Sequence, residues 1–211
     1  MVTTPRFQHV LTTDAELTEL LGEAHQLAKE KVIGALDEHS RGFIARSPFT
    51  IVSTADAQGR QDVSPKGDAP GFVHVLDDTT FLIPERLGNK LAFTYRNILQ
   101  NPHIGVLFLV PGNGETLRVN GTAQIIRDPD LLEPMAVRGK APQLGLAVTT
   151  QEVFLHCAKC IIRSDLWSPE SWPDLTGLPS FAQILKDQRN PKESVEELQA
   201  LLDNDYVNEL Y

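Results

Sequence analysis

Two short stretches concentrate residue types suited to binding an anion. In Ser64-Pro65-Lys66-Gly67-Asp68 a hydroxyl and an ammonium stand two residues apart, proline interrupts strand pairing, and glycine permits close backbone approach. In Pro84-Glu85-Arg86-Leu87-Gly88-Asn89-Lys90 an apolar strand gives way to a polar segment carrying two cations. Read as a strand running into a helix, this segment lets Arg86 and Lys90 neutralise a dianionic phosphate. The backbone N–H groups of Gly88 and Asn89 then point out of the helix start toward it. Either stretch alone also fits an ordinary hairpin end with solvated charges; two at the ends of neighbouring strands favour a shared ligand. A third stretch, Glu115 to Gly121, alternates in strand fashion and puts Thr116, Arg118 and Asn120 on one face. That face suits a flat polar ring, or is the outer face of a barrel strand.

Other chemistries find little support. Cys157 and Cys160 form a lone C-x-x-C beside His156, whereas a structural zinc site uses four ligands, and His9, His25, His39, His74 and His103 are scattered. Packing cysteines and no metal site are expected. Gly112-Asn113-Gly114 lacks the third glycine and the following helix of a dinucleotide fold, and the chain has no Walker loop and no HExxH. No Ser–His–Asp or Cys–His pattern calls for a protein nucleophile. His156 reads as a structurally hydrogen-bonded interface histidine, with acid–base assistance as its alternative role.

The elements that must position these residues change character along the chain. Residues 1–46 read as helical. Thr13-Asp14-Ala15-Glu16 is a capping box followed by a Leu17/Leu20/Leu21 stripe. A second helix is expected over 24–36 and a third over 38–45, stopping before Pro48. Strands follow at 49–54 and 61–65, then 72–76 and 79–84. A helix is expected over 87–99. The apolar run 103–110 reads as a central strand covered on both faces, 116–126 as a long return strand, 131–137 as a helix, and 144–150 and 152–155 as the last strands. Six or seven hairpin-linked strands with short helices predict a mainly β, α+β architecture closed as an antiparallel barrel. The missing crossover helices disfavour a doubly wound sheet. Residues 168–211 read as a Pro- and Trp-containing loop and an acidic tail with helices over 180–188 and 194–203.

The bulk numbers agree with a globular chain. Of 211 residues 41% are hydrophobic and 22% charged. A net charge of −9 argues against nucleic-acid binding, while leaving room for a local basic pocket. Two cysteines exclude a disulfide scaffold. With no apolar signal core in residues 1–10 and no membrane-length apolar run, a cytoplasmic location without membrane attachment is the default expectation.

Taken in order, the strings 64–68, Gly71-Phe72-Val73, 83–90, Asn97-Ile98-Leu99-Gln100-Asn101-Pro102, 107–112, Leu117-Arg118-Val119-Asn120-Gly121, 156–160 and Arg163-Ser164-Asp165-Leu166-Trp167 resemble the pyridoxamine 5'-phosphate oxidase-like family. The likeness runs over about residues 44–167. Within the family it leans toward a bacterial subgroup of probable FMN-dependent enzymes.

The resemblance implies an FMN-binding split barrel over 47–167. It also implies a homodimer with cofactor clefts built by both subunits. By that likeness Ser64, Lys66, Arg86, Asn89 and Lys90 serve the phosphate and ribityl side. Gly88 adds a backbone amide there. Pro65, Gly67, Ile83 and Pro84 line the isoalloxazine, and Thr116 and Arg118 approach from a facing strand of the other subunit. Arg163 and Trp167 belong to a closing segment over flavin or substrate. The implied activity is two-electron transfer through the flavin N5 to or from a small-molecule substrate or electron acceptor. A non-catalytic flavin carrier is the alternative, as is the same fold holding haem or deazaflavin. The arginine and histidine-containing C-terminal sequence of true pyridoxamine phosphate oxidases is missing, so that substrate is not implied.

Overall fold

A capping box starts the first helix, α1 (Asp14–Leu21), as its sequence predicts. Thr13 Oγ1 accepts from the Glu16 amide at 3.3 Å, and the Glu16 carboxylate accepts from the Thr13 amide at 3.0 Å. The structure, a computed structural model, describes residues 6–211. The first five residues of the expected N-terminal helical segment lie outside the described residues. The chain forms two compact units, one ending at Val32 and one running from Ile33 to Tyr211. In the first, Leu17, Leu20 and Leu21 remain exposed. The second helix, α2 (Gln26–Glu30), is much shorter than the expected 24–36. The β-branched Val32-Ile33 and Gly34 are poor helix residues.

In the second unit, Ile33 forms a β-bridge with Val153, exchanging hydrogen bonds of 3.0 and 2.8 Å. Helix α3 (Glu38–Ile44) follows, capped by Asp37, whose carboxylate accepts from the Ser40 amide at 2.8 Å. Seven strands then build one sheet: β1 (Phe49–Ala55), β2 (Gln61–Gly67), β3 (His74–Val75), β4 (Thr80–Pro84), β5 (His103–Leu109), β6 (Thr116–Ile126) and β7 (Gly145–His156). Their order is β2-β1-β5-β6-β7-β4-β3, every pairing antiparallel. β2 is an edge strand, which is where Pro65, having no N–H, can be accommodated. β3 is only two residues long because Phe72 belongs to a turn, its amide bonded to the Ala69 carbonyl at 3.1 Å.

The sheet is strongly rolled. Phe81 of β4 and Phe108 of β5 are three strand positions apart, roughly 14 Å across a flat sheet. Their rings nevertheless meet edge-to-face at 5.7 Å, so the inner faces of the two halves close on each other. Between them lies the core, including Val52, Ile83, Val106, Leu117, Val119, Leu146 and Val148. No strand pairs β2 with β3 in the sheet order. The architecture is the expected antiparallel split barrel with flanking helices.

Other elements depart from expectation. Residues 85–92 are not helical; the helix in that region, α4 (Phe93–Ile98), begins six residues late. Lys90 and Ala92 adopt left-handed backbone (φ 59° and 55°), and the Asn89 side chain accepts from the Leu91 amide at 3.0 Å. These local turns replace helix propagation. The helix expected at 131–137 is α5 (Pro129–Leu132) continued by a 3₁₀ turn. The two last strands are one, β7, with a bulge that sets Glu152 opposite Asn120 and Thr150 opposite Gly121. β5 is central, but only Ile104, Val106 and Phe108 are buried; Leu107 and Leu109 on the other face are half-covered. Beyond β7 come α6 (Lys159–Ser164), α7 (Phe181–Arg189) and α8 (Val195–Asn208), the last two packed on each other. Among the described residues no helix is long and apolar enough to cross a membrane.

Candidate functional site

β2 alternates, exposing Val63 and Pro65 while Asp62, Ser64 and Lys66 turn inward. Beyond β4, the loop 85–92 crosses in front of them. Strand, loop and the start of α4 enclose a cavity of about 400 Å³, within the range of small-molecule sites. It is lined by Ser64, Pro65, Lys66 and Gly67 on one side and by Pro84, Arg86, Gly88, Asn89 and Lys90 on the other. Phe72, Thr94 and Tyr95 contribute as well. Nine of the residues assigned from sequence thus meet in one place. Ile83 does not line this cavity; it is 1% exposed and packed in the core. The amides of Gly88 and Asn89 are loop groups, because no helix begins there.

Three cations, Lys66, Arg86 and Lys90, face one carboxylate, Glu85, around this space. Glu85 is engaged by the hydroxyl of buried Tyr95. Burial and that carboxylate push the Tyr95 pKa far above its ordinary 10.0, so Tyr95 stays a neutral donor. Lys66 Nζ lies 5.9 Å from the Tyr95 ring centroid, a cation–π distance. Ser64 Oγ donates to Asp62 at 3.0 Å, and Thr94 Oγ1 donates to the same carboxylate oxygen at 2.8 Å. Arg86 is paired: its Nε donates to Asp68 at 2.7 Å. Burial would raise the Asp68 pKa, but the Ala69 amide, the Tyr211 hydroxyl and Arg86 outweigh it. They hold the carboxyl below its ordinary 3.8.

Thr116 and Arg118 lie elsewhere. Lys66 stands opposite Thr50, Thr50 opposite Phe108, and Phe108 opposite Leu117, so these four share the inner face. Thr116 and Arg118, one residue to either side of Leu117, belong to the outer face. Arg118 stacks 4.0 Å above Phe154 and approaches Glu152 at 3.8 Å, while its Nε is buried without a hydrogen-bond partner among the described residues. Arg163 is exposed on α6, and Trp167 Nε1 donates to the Asn113 carbonyl at 2.7 Å. Within one chain none of these four reaches the cavity. Among the described residues no cluster of three or more His, Cys, Asp or Glu side chains could hold a metal; Cys157 and Cys160 are exposed and form no disulfide.

Sequence reasoning missed Tyr95, Thr94 and Tyr211. The helix expected over 87–99 puts the first two at its middle, whereas the observed start at Phe93 puts them at the cavity.

No curated protein sequence matches the chain. Solved structures of similar fold include HupZ of Group A Streptococcus (22% identity over 57% of this chain and 93% of that one, TM-score 0.47). Another is an FMN-binding protein of Syntrophomonas wolfei (14%, 67% and 92%, TM-score 0.42). A third is HutZ, the haem storage protein of Vibrio cholerae (15% identity over 58% of this chain and 94% of that one, TM-score 0.42). The sequence profile described as pyridoxamine 5'-phosphate oxidase matches residues 36–157, more than half of the chain and all seven strands. The chain therefore belongs to the pyridoxamine 5'-phosphate oxidase family.

Proposed function

We propose that the cavity holds the phosphate-bearing end of FMN and that the chain is an FMN-dependent oxidoreductase acting on a small molecule. The observation that carries this reading is the convergence of Lys66, Arg86 and Lys90, with the Ser64 hydroxyl, on one cavity. That donor set suits a dianionic phosphate: two compact or planar cations at the loop, one at the strand, and a hydroxyl between. When bound, the isoalloxazine supplies two-electron chemistry through N5, while the protein orients it and limits access of water. Tyr95, held neutral by burial and by Glu85, is a lining residue that stays a donor at physiological pH.

The same reading makes the functional unit a homodimer. Leu107 and Leu109 are half-covered on the outer sheet face, and Arg118 Nε has no partner there. A second copy would cover the first and engage the second, bringing Thr116 and Arg118 to its partner's cofactor. The haem alternative finds no support in the cavity, whose described lining contains no His, Cys or Met to serve as the usual axial ligand. Deazaflavin shares the phosphate end and is separated by the test itself.

The test is to purify the full chain, release its small molecule and identify it by mass spectrometry. FMN is expected from the wild type, and Arg86→Ala/Lys90→Ala is expected to keep its fold by circular dichroism and lose the flavin. Flavin retained at wild-type stoichiometry by the double variant would overturn the phosphate assignment.

A further inference from the structure

Arg86 lines the cavity but is not free to turn. Besides Asp68, it donates to the Met135 carbonyl at 3.1 Å. The pair is secluded, with side-chain exposures of 17% for Arg86 and 3% for Asp68. The other oxygen of Asp68 accepts from the Ala69 amide at 2.7 Å and from the Tyr211 hydroxyl at 2.8 Å. Tyr211 lies three residues past α8, at the far end of the acidic tail. Its ring is flanked by two guanidinium groups, Arg138 at 5.1 Å and Arg86 at 5.8 Å from the centroid. Lys140 Nζ donates to its main-chain oxygen at 2.6 Å. Contacts from three separate segments therefore converge on one tail residue, directly behind a cation of the cavity.

We propose that Tyr211 is a positioning residue for the anion-binding cavity, anchoring the tail on Asp68 and thereby holding Arg86 in the cavity wall. This rests on the reading of the cavity as a flavin phosphate site. The physical case has two parts. An arginine already fixed by Asp68, Met135 and an aromatic face loses less conformational freedom on meeting a ligand. The Tyr211 hydroxyl and Ala69 amide also share the charge of Asp68, leaving Arg86 less fully neutralised. By linkage, whatever Tyr211 docking does for ligand affinity, ligand binding must do for docking of the tail.

The experiment has two arms on the full chain. Without flavin, limited proteolysis read by mass spectrometry follows cleavage within 168–211. Asp68→Asn and Tyr211→Ala are expected to speed it severalfold over the wild type, and equal rates would overturn the anchor. With flavin, fluorescence titration is expected to show FMN binding weakened about three- to tenfold in Tyr211→Phe, which keeps the ring and loses the hydroxyl. Tyr211→Ala should be weaker still, and saturating FMN should slow tail cleavage in the wild type only. Equal affinities in all three proteins would overturn the positioning role. A wild type that binds no FMN overturns the functional reading and the ligand half of this proposal together. The flavin-free arm then separates that failure from failure of the anchor.

Discussion

Tyr95 and Glu85 join the first turn of α4 to the end of β4, and the loop 85–92 is stapled between them. The bond has a charged acceptor and a buried donor, so Tyr95→Phe leaves the carboxylate without its protein partner. We expect a loss of about 1–3 kcal/mol, read as a lower urea midpoint at unchanged slope. An unchanged midpoint would mean that solvent replaces the hydroxyl and that the loop does not depend on it. Ser64 and Lys66 were legible in the sequence because an edge strand alternates and their separation of two fixes a common side. Tyr95 was not legible. Its role depends on the path of a loop whose left-handed residues, Lys90 and Ala92, are neither glycine nor asparagine.

At the scale of elements, the long β6–β7 pairing carries the inner core on one side and Arg118 on the other, and its bulge sets where each side chain points. Gly121 makes the bulge possible: a Cβ there would stand 2.0 Å from the Thr149 carbonyl oxygen. That contact is with backbone and cannot be relieved by a rotamer change. Gly121→Ala should destabilise the fold by about 3 kcal/mol or more, or abolish soluble expression. Wild-type stability would show that the two strands can slip past each other instead. The strands themselves were legible to within a residue or two, since β-branched and apolar runs bounded by turn residues leave few options. In the sequence the bulge looks like a break between two strands, because Gln151, the unpaired residue, interrupts the alternation. The helix expected from residue 87 failed for a related reason: a leucine followed by Gly88 and Asn89 satisfies a helical spacing while favouring turns.

For the whole molecule, two further outcomes are expected. The half-covered outer face of β1 and β5 is apolar at Ile51, Leu107 and Leu109. Leu107→Lys should therefore leave the single-chain fold within about 0.5–1 kcal/mol of wild type. It should still convert the proposed dimer to monomer in sedimentation analysis, and a persistent dimer would move the interface elsewhere. Acid stability should depend on Asp68. Its folded-state pKa is lowered, so the native state binds fewer protons than the unfolded chain as pH falls. The stabilisation is present above the ordinary carboxylate value of 3.8 and is lost as pH falls through the lowered folded value. The stability gap between wild type and Asp68→Asn should accordingly narrow with acidification below about pH 4. A gap independent of pH would assign the difference to packing.

Pro65 also constrains how copies of the chain can meet. The free side of β2 lacks an amide donor at mid-strand, so an incoming strand cannot zip along that margin with an unbroken ladder. Growth of open-ended aggregates by strand addition is hindered at this border.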